Sequence, residues 1–426
     1  MPTHKRRKAP LIQRIAPLPF PDVQYYTLRN GIPVYMLPYP RHEALKFEWV
    51  YRAGRPEEVK PLVARATARL LREGTARHTG AELAEQLDFY GSSLQNPVNL
   101  DTANLVLYSL RKYAEATLPF VADMLLSPSF PEQELHLFQE NSIRELTVEL
   151  EKGDVVAYRV LTEMLFGSTH PYGYNSTPEL YRALVRDDLV HHHARWHTPA
   201  RSAVFLSGGI NDQLLQRVED LFGAALPDAP ETHFMAPEPI PQPETRHIPQ
   251  PGSLQTAIKM GRRLFNRHHA DFNGLFVLNT LLGGYFGSRL SMNIRENHGF
   301  TYNIYSSIDA MLHDGFLYIA TEVDHRNTEA TLREIHSEMT RLQQEPVPDH
   351  ELDMVRNYLL GMLLNGIDGP LNTADLLRSY VVDGLPTDAY NVLTDIIKHI
   401  TAADLQALAQ QYLSPADYTV VLVGGK

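Results

Sequence analysis

The chain has 426 residues, enough for two or three domains that each bury a hydrophobic core. Its 43% apolar and 21% charged residues are typical of globular proteins, and its net charge of −11 argues against a general nucleic-acid-binding surface. It has no cysteine, which excludes disulfides and thiolate metal sites, and it shows neither a secretory signal nor a membrane-spanning stretch. We therefore expect a cytoplasmic protein without nucleic-acid or membrane partners.

The chain opens with a basic segment, residues 4–8. We interpret it as part of a solvated N-terminal tail that covers residues 1–22. A mitochondrial targeting segment is the alternative interpretation, although the segment is short and lacks the Ser-rich amphipathic pattern of such signals.

The first half of the chain, residues 23–226, is predicted to combine hairpins and helices. Asn30-Gly31 between two apolar stretches is typical of a tight hairpin turn. Thr79 followed by Glu82 predicts a capping box at the start of a helix that ends at Gly91. The other strands are predicted at residues 25–28, 33–37, 46–52, 104–110 and 203–208, and the other helices at 61–71, 113–126 and 132–150.

A proline-rich segment separates this half from the second half, residues 252–426. Eight of the 25 residues from 227 to 251 are proline, which predicts a semi-rigid linker. In the second half, strands are predicted at residues 256–260, 301–307 and 315–323, and helices at 274–282, 328–344, 350–364 and 401–412.

The end of the chain repeats its middle at a separation of 216 residues. Asp188-Leu189 recurs as Asp404-Leu405, and Gly208-Gly209 recurs as Gly424-Gly425 after a similar apolar stretch. A repeat of this length indicates a duplicated domain. We therefore predict an α+β fold of two homologous α/β sandwich domains, each a mostly antiparallel sheet with helices on one face.

Histidine is the first candidate metal ligand. His193 and His197 have the i, i+4 spacing that places two ligands on one helix face, but they stand at a helix end and have no identified carboxylate partner. The sequence contains neither H-E-x-x-H nor H-x-x-E-H, and it lacks a serine nucleophile elbow and a Walker loop. We predict no metal site in this chain. Zinc-dependent hydrolysis at His193 and His197 is the weakest of three functional hypotheses, and the other two follow below.

Residues 283–302 hold a more specific pattern. A glycine-rich turn leads into Arg295, and Tyr302 follows seven residues later, beyond a helix end and a glycine. A guanidinium and a phenol placed side by side can hydrogen-bond a substrate carbonyl or an oxyanion. From spacing alone, a surface arginine and a half-buried sheet tyrosine remain the simpler interpretation.

This segment resembles G-G-x-x-x-S-R-L…L-R-E-x-x-G-L-x-Y of the pitrilysin/insulinase-type zinc metallopeptidases, in the branch with the mitochondrial processing peptidase. Residues 170–179 and 196–199 also look like family segments. The resemblance extends from about Leu28 to Gly425, and the family's two homologous halves fit the internal repeat.

The resemblance also reveals a loss. The family's zinc motif, H-x-x-E-H, corresponds here to Arg65-Ala66-Thr67-Ala68-Arg69, and Glu145 falls near the position of the third ligand. An arginine keeps its proton and does not ligate zinc, and alanine is no general base. We interpret Arg65, Ala68, Arg69 and Glu145 as a degenerate zinc site.

The resemblance implies a division of labour between two subunits. A homologous partner would hold zinc and the general base, and this chain would contribute Arg295 and Tyr302 in trans for the hydrolysis of unfolded peptides. The residues that we expect to bind substrate are Gly91, Ser92, Ser93, Gly283 and Gly284. The chain itself is predicted to need no cofactor and to be inactive alone. The alternative hypothesis is an inert structural or peptide-binding homo-oligomer, like the respiratory-chain core proteins.

Overall fold

A computed structural model describes residues 19–224 and 241–425, and two β-sheets organise them. The first sheet has the strand order β1-β2-β6-β3-β5-β4 and the second has the order β7-β11-β8-β10-β9. The strands are β1 Gln24–Thr27, β2 Pro33–Pro38, β3 Ala44–Tyr51, β4 Ser93–Gln95, β5 Ala103–Leu110, β6 Ser202–Gly208, β7 Thr245–Ile248, β8 Gln255–Leu264, β9 Ile304–Ala310, β10 Gly315–Asp324 and β11 Thr419–Gly424.

The two sheets share one topology. In the first, β2 runs parallel to β6, and all other neighbours are antiparallel. In the second, β7 runs parallel to β11, and again every other pair is antiparallel. The series β2-β6-β3-β5-β4 therefore corresponds to β7-β11-β8-β10-β9. Two homologous, mostly antiparallel α+β halves are confirmed.

The repeated Gly-Gly pairs have the same role in both halves. Gly208 ends β6 with φ of 102°, and Gly424 ends β11 with φ of 139°. A Cβ on Gly208 would lie 2.1 Å from the carbonyl oxygen of Ala44, and one on Gly424 would lie 2.3 Å from that of Gln255. Only glycine allows the backbone to approach the neighbouring strand this closely at a positive φ.

Helices cover both sheets, and most begin and end close to their predicted bounds. Thr79 and Glu82 form the predicted capping box, and Thr401 forms another with Asp404. The helices are α1 Val63–Leu70, α2 Gly80–Phe89, α3 Ala114–Leu126, α4 Glu132–Glu149, α5 Gly153–Phe166, α6 Pro178–Arg182, α7 Arg186–Trp196, α8 Asp212–Phe222, α9 Phe272–Asn279, α10 Thr328–Gln344, α11 Asp349–Gly366, α12 Gly369–Val382, α13 Ala389–His399 and α14 Ala402–Tyr412. Two π-helical segments, Thr280–Gly284 and Ser291–Asn297, flank the glycine-rich turn.

One face of each sheet packs against helices of its own half. In the first half, Phe47, Trp49 and Leu206 form a core with α3 and α8. In the second half, Ile258 and Leu317 belong to a core with α9, α10 and α14. Alternation along the strands leaves the intervening side chains to face the opposite side.

That opposite face is covered by a helix from the other half. Ala157 and Leu161 of α5 pack on the second sheet, and α12 packs on the first. A buried lysine marks each contact: Lys46 of β3 pairs with Asp375 of α12 at 2.7 Å, and Lys259 of β8 pairs with Asp154 of α5 at 2.6 Å. The two halves thus exchange one helix each, and these helices bind them together.

Two predicted segments fall partly outside the described residues. Residues 1–18 of the predicted tail and residues 227–240 of the predicted linker lie there. The final part of the predicted linker contains β7, which pairs with β11 over Thr245 to Ile248. No helix in the described parts of the chain is long and apolar enough to cross a membrane.

Candidate functional site

The degenerate zinc positions lie on α1, whose start is unusual. Leu62 precedes the helix with φ of 72°, a strained conformation for leucine. Two neighbours hold this turn: the Tyr174 hydroxyl accepts a hydrogen bond from the Leu62 N–H at 3.1 Å, and a Glu58 carboxylate oxygen accepts one from the Ala64 N–H at 3.0 Å. Burial raises the pKa of Glu58 to about 7, although a hydrogen bond from Tyr174 opposes that rise. No sequence signal predicts this cap, because Glu58 precedes the helix inside an irregular loop.

The structure brings three of the four degenerate positions together. Arg65, Arg69 and Glu145 line one cavity of about 370 Å³ between α1 and α4. Ala68 does not line it, because its side chain is fully buried in the core under the first sheet. The three lining residues offer two protonated guanidiniums and one carboxylate, a set that does not fit zinc.

The histidine pair is a packing feature. The rings of His193 and His197 lie 4.7 Å apart, and His197 stacks on Tyr51 at 4.2 Å. The Nε2 of His193 forms a hydrogen bond with the carbonyl oxygen of Leu125. Among the described residues, no group of three or more His, Cys, Asp or Glu side chains is arranged to hold a metal ion.

The second half places Arg295 in the π-helical segment Ser291–Asn297, beside the glycine-rich turn. Its guanidinium carbon lies 3.8 Å from the ring centre of Phe286, a cation–π contact. The Nη1 of Arg295 lies 2.9 Å from a carboxylate oxygen of Glu296, without the alignment of a hydrogen bond. Arg295 is therefore held by Glu296 of its own segment and by Phe286 of the preceding glycine-rich turn.

Tyr302 stands apart from Arg295. Its side chain is 95% exposed and forms no hydrogen bond to any described residue. It lines an open cavity of about 360 Å³ together with Asp154, Tyr305 and Glu322, and Arg295 does not line that cavity. The structure of the single chain therefore does not join the arginine and the tyrosine.

The glycines predicted to bind substrate have local structural roles. A Cβ on Gly283 would lie 2.5 Å from the backbone nitrogen of Ser306, so this glycine lets a π-helical segment pack closely on β9. Gly284 is exposed, and a Cβ there would come no closer than 3.3 Å to another heavy atom. Gly91 turns the chain after α2 with φ of 58°. The close approach at Gly283 and the positive φ of Gly91 account for these two glycines without a ligand.

The two serines behave differently from each other. Ser92 is buried and shares a hydrogen bond of 2.8 Å with Ser109. Ser93 is exposed at the start of β4, which is an end strand of the first sheet. Ser93 is thus the predicted substrate residue that lies on an accessible strand edge.

Comparisons with known proteins agree with this architecture. Residues 183–359 match the family described as the peptidase M16 inactive domain. The uncharacterized zinc protease YmxG of Bacillus subtilis is 23% identical over 409 residues, 94% of this chain and 98% of the relative. Residues 183–359 thus match the M16 inactive-domain family, and the chain as a whole is similar to M16-type proteins.

Two further comparisons refine that assignment. A relative from Helicobacter pylori, named a non-peptidase homolog YmxG, is 23% identical over 85% of this chain and 84% of its own length. A crystal structure of a peptidase M16 inactive domain from Pseudomonas fluorescens is 22% identical, has a TM-score of 0.89 and covers 95% of this chain and 98% of that one. The chain therefore has the two-domain fold of these M16-type structures, and its sequence lacks the H-x-x-E-H motif.

Proposed function

We propose that this M16 homologue is the non-catalytic subunit of a two-subunit zinc endopeptidase that acts on unfolded peptides in the cytoplasm. Its partner would be a homologous chain with an intact H-x-x-E-H motif, and the zinc held there would polarise the peptide carbonyl and its attacking water. Two features support the proposal. Arg65, Ala68 and Arg69 remove zinc chemistry from this chain, and the second half retains Arg295 and Tyr302.

The observation that carries the proposal is the exposure of Tyr302. A phenol that is 95% exposed and has no hydrogen-bond partner among the described residues contributes little to folding, but it can donate to a group on another chain. In the proposed complex, Tyr302 donates to the oxyanion of the tetrahedral intermediate. Arg295 leaves Phe286 and Glu296 to hold a neighbouring substrate carbonyl.

The ends of both sheets suit an extended peptide. The first sheet ends at β4 with Ser93, and the second ends at β9, which begins two residues after Tyr302. An extended peptide adds to such an edge through backbone hydrogen bonds, a mode that tolerates many sequences. This accounts for the proposed preference for unfolded substrates.

The test is reconstitution. We expect the purified chain to cleave no peptide and to become active when mixed with a zinc-bearing M16 homologue from the same organism. Tyr302→Phe should lower kcat of the mixture by about a hundredfold with little change in KM, because it removes one oxyanion donor. Arg295→Ala should raise KM as well. Tyr25→Phe, at another exposed tyrosine, is the matched control and should leave both constants unchanged.

An inert homo-oligomer is the second candidate function, and the contacts of Arg295 with Phe286 and Glu296 favour it, since they give the arginine a structural role. Unchanged rates in both variants of a reconstituted mixture would establish that role. So would purification of the native protein as a homo-oligomer with no zinc-bearing homologue attached.

A further inference from the structure

The cavity between α1 and α4 is lined by two guanidiniums that have no partner among the described residues. Arg65 and Arg69 lie one turn apart on α1, so their side chains share a face of the helix. Neither forms a hydrogen bond or an ion pair with any residue in the described ranges 19–224 and 241–425, whereas Arg72, which lines the same cavity, pairs with Glu73 at 3.2 Å. Two adjacent, unpaired guanidiniums therefore border a cavity of about 370 Å³.

The opposite wall comes from α4 and is mixed in character. Asn141 and Ser142 provide polar groups, Leu137 and Phe138 provide apolar surface, and Glu145 provides a carboxylate. Glu134 also lines the cavity, yet neither glutamate comes within 4.0 Å of a guanidinium nitrogen of Arg65 or Arg69. The arginines are therefore available to an outside ligand.

The charges that line the cavity favour a carboxylate over a doubly charged phosphate as the ligand. The charges of Arg65 and Arg69 are offset by those of Glu134 and Glu145, so a doubly charged phosphate would be repelled by the glutamates at short range. A single carboxylate can accept paired N–H donors from the guanidiniums and leave the glutamates to accept N–H groups of the same ligand. A peptide end offers this combination, and Leu137 and Phe138 can cover its apolar side chains.

We propose that this cavity binds the C-terminal carboxylate of a peptide, with Arg65 and Arg69 as its donors. The site occupies the position of the lost zinc motif and uses its replacement residues for recognition instead of hydrolysis. It lies on the first half of the chain and requires no partner subunit. It can therefore be tested even if the complementation by Arg295 and Tyr302 proves wrong.

The test compares two labelled peptides that differ only at the C-terminus, one a free acid and the other an amide. Fluorescence anisotropy with the full chain should show the acid binding at least about tenfold more tightly, because only the acid accepts charge-assisted hydrogen bonds. The double variant Arg65→Gln/Arg69→Gln should bind both peptides equally weakly. The variant Arg65→Lys/Arg69→Lys keeps the charge but loses the paired donors, and it should retain part of the preference.

Three further measurements serve as controls for the binding experiment. Arg333→Gln on α10 removes the same charge from the exposed surface of the second half and should leave the preference intact. Thermal unfolding should show that the double variant remains folded, as expected for residues that lack partners. Equal binding of acid and amide by the wild type would overturn the proposal, and so would displacement of the acid by inorganic phosphate at an equal concentration.

Discussion

At the scale of single residues, the clearest feature is a group of three imidazoles inside the first half. His192 and His197 are buried, and His193 is half-buried. Within the part of the chain that the structure describes, neither ring nitrogen of His197 has a hydrogen-bond partner. Burial lowers the pKa of His192 from 6.5 to about 4, and burial also lowers the pKa values of His193 and His197. All three are therefore neutral in the folded protein near pH 7.

This arrangement predicts that acid weakens the fold. The unfolded chain takes up a proton on His192 near pH 6.5 and the folded chain only near pH 4, so its stability contribution is complete above pH 6.5 and is lost as the pH falls to 4. The loss from this residue amounts to roughly 3 kcal/mol. The contribution of His192 is measured by urea unfolding of the wild type and of His192→Gln at several pH values. The difference between their free energies of unfolding reports His192 alone, because the contributions of other titrating groups such as Glu58 cancel. A constant difference from pH 7 to pH 4 would contradict the prediction.

At the scale of elements, two helices depend on the same local device. Thr79 caps α2 and Thr401 caps α14, each through a capping box. The acidic residue of each box accepts a hydrogen bond from the backbone N–H of the threonine. A cap of this kind depends only on residues that are close in sequence, and for that reason the sequence alone predicted the start of α2.

We expect Thr79→Ala and Thr401→Ala each to lower the free energy of unfolding by about 1 kcal/mol, because each leaves helix N–H groups without their acceptor. Chemical denaturation measures the change. Thr79→Ser and Thr401→Ser keep the hydroxyl and should restore most of it. A loss of the same size in the serine variants would show that the methyl group, not the cap, stabilises the helix start.

At the scale of the whole molecule, the exchange of α5 and α12 makes the halves mutually dependent. Leu161 of α5 is fully buried against the second sheet, although it belongs to the first half of the sequence. Removing its side chain leaves a cavity between α5 and β8. This cavity lies on the face of the second sheet that is turned away from the core with α9, α10 and α14.

Leu161→Ala should therefore cost about 2–5 kcal/mol and act across the boundary between the halves. Hydrogen exchange should become faster in β8 and β11 of the second sheet. Leu137→Ala on α4 is the control, since that side chain is 41% exposed and its loss should cost far less. If exchange rises only within residues 19–224, the helix exchange does not couple the halves.

The sequence by itself determined the duplication, most strands and helices, the capping box at Thr79 and the replacement of the zinc motif. These follow from neighbouring residues, from periodicity or from residue identity at a motif position. It did not predict α8, α12, α13 or β7, and it did not predict the π-helical segments on either side of the glycine-rich turn.

Only the tertiary structure decided which residues meet. Arg65, Arg69 and Glu145 share a cavity because α1 and α4 pack side by side. Arg69 and Glu145 are 76 residues apart in the sequence, and that spacing does not specify a contact between them. Arg295 and Tyr302, seven residues apart, remain separate because Phe286 holds the guanidinium while the phenol points into solvent. Local sequence sets the backbone through short-range hydrogen bonds and sterics, but distant segments pack through burial that only the complete chain provides.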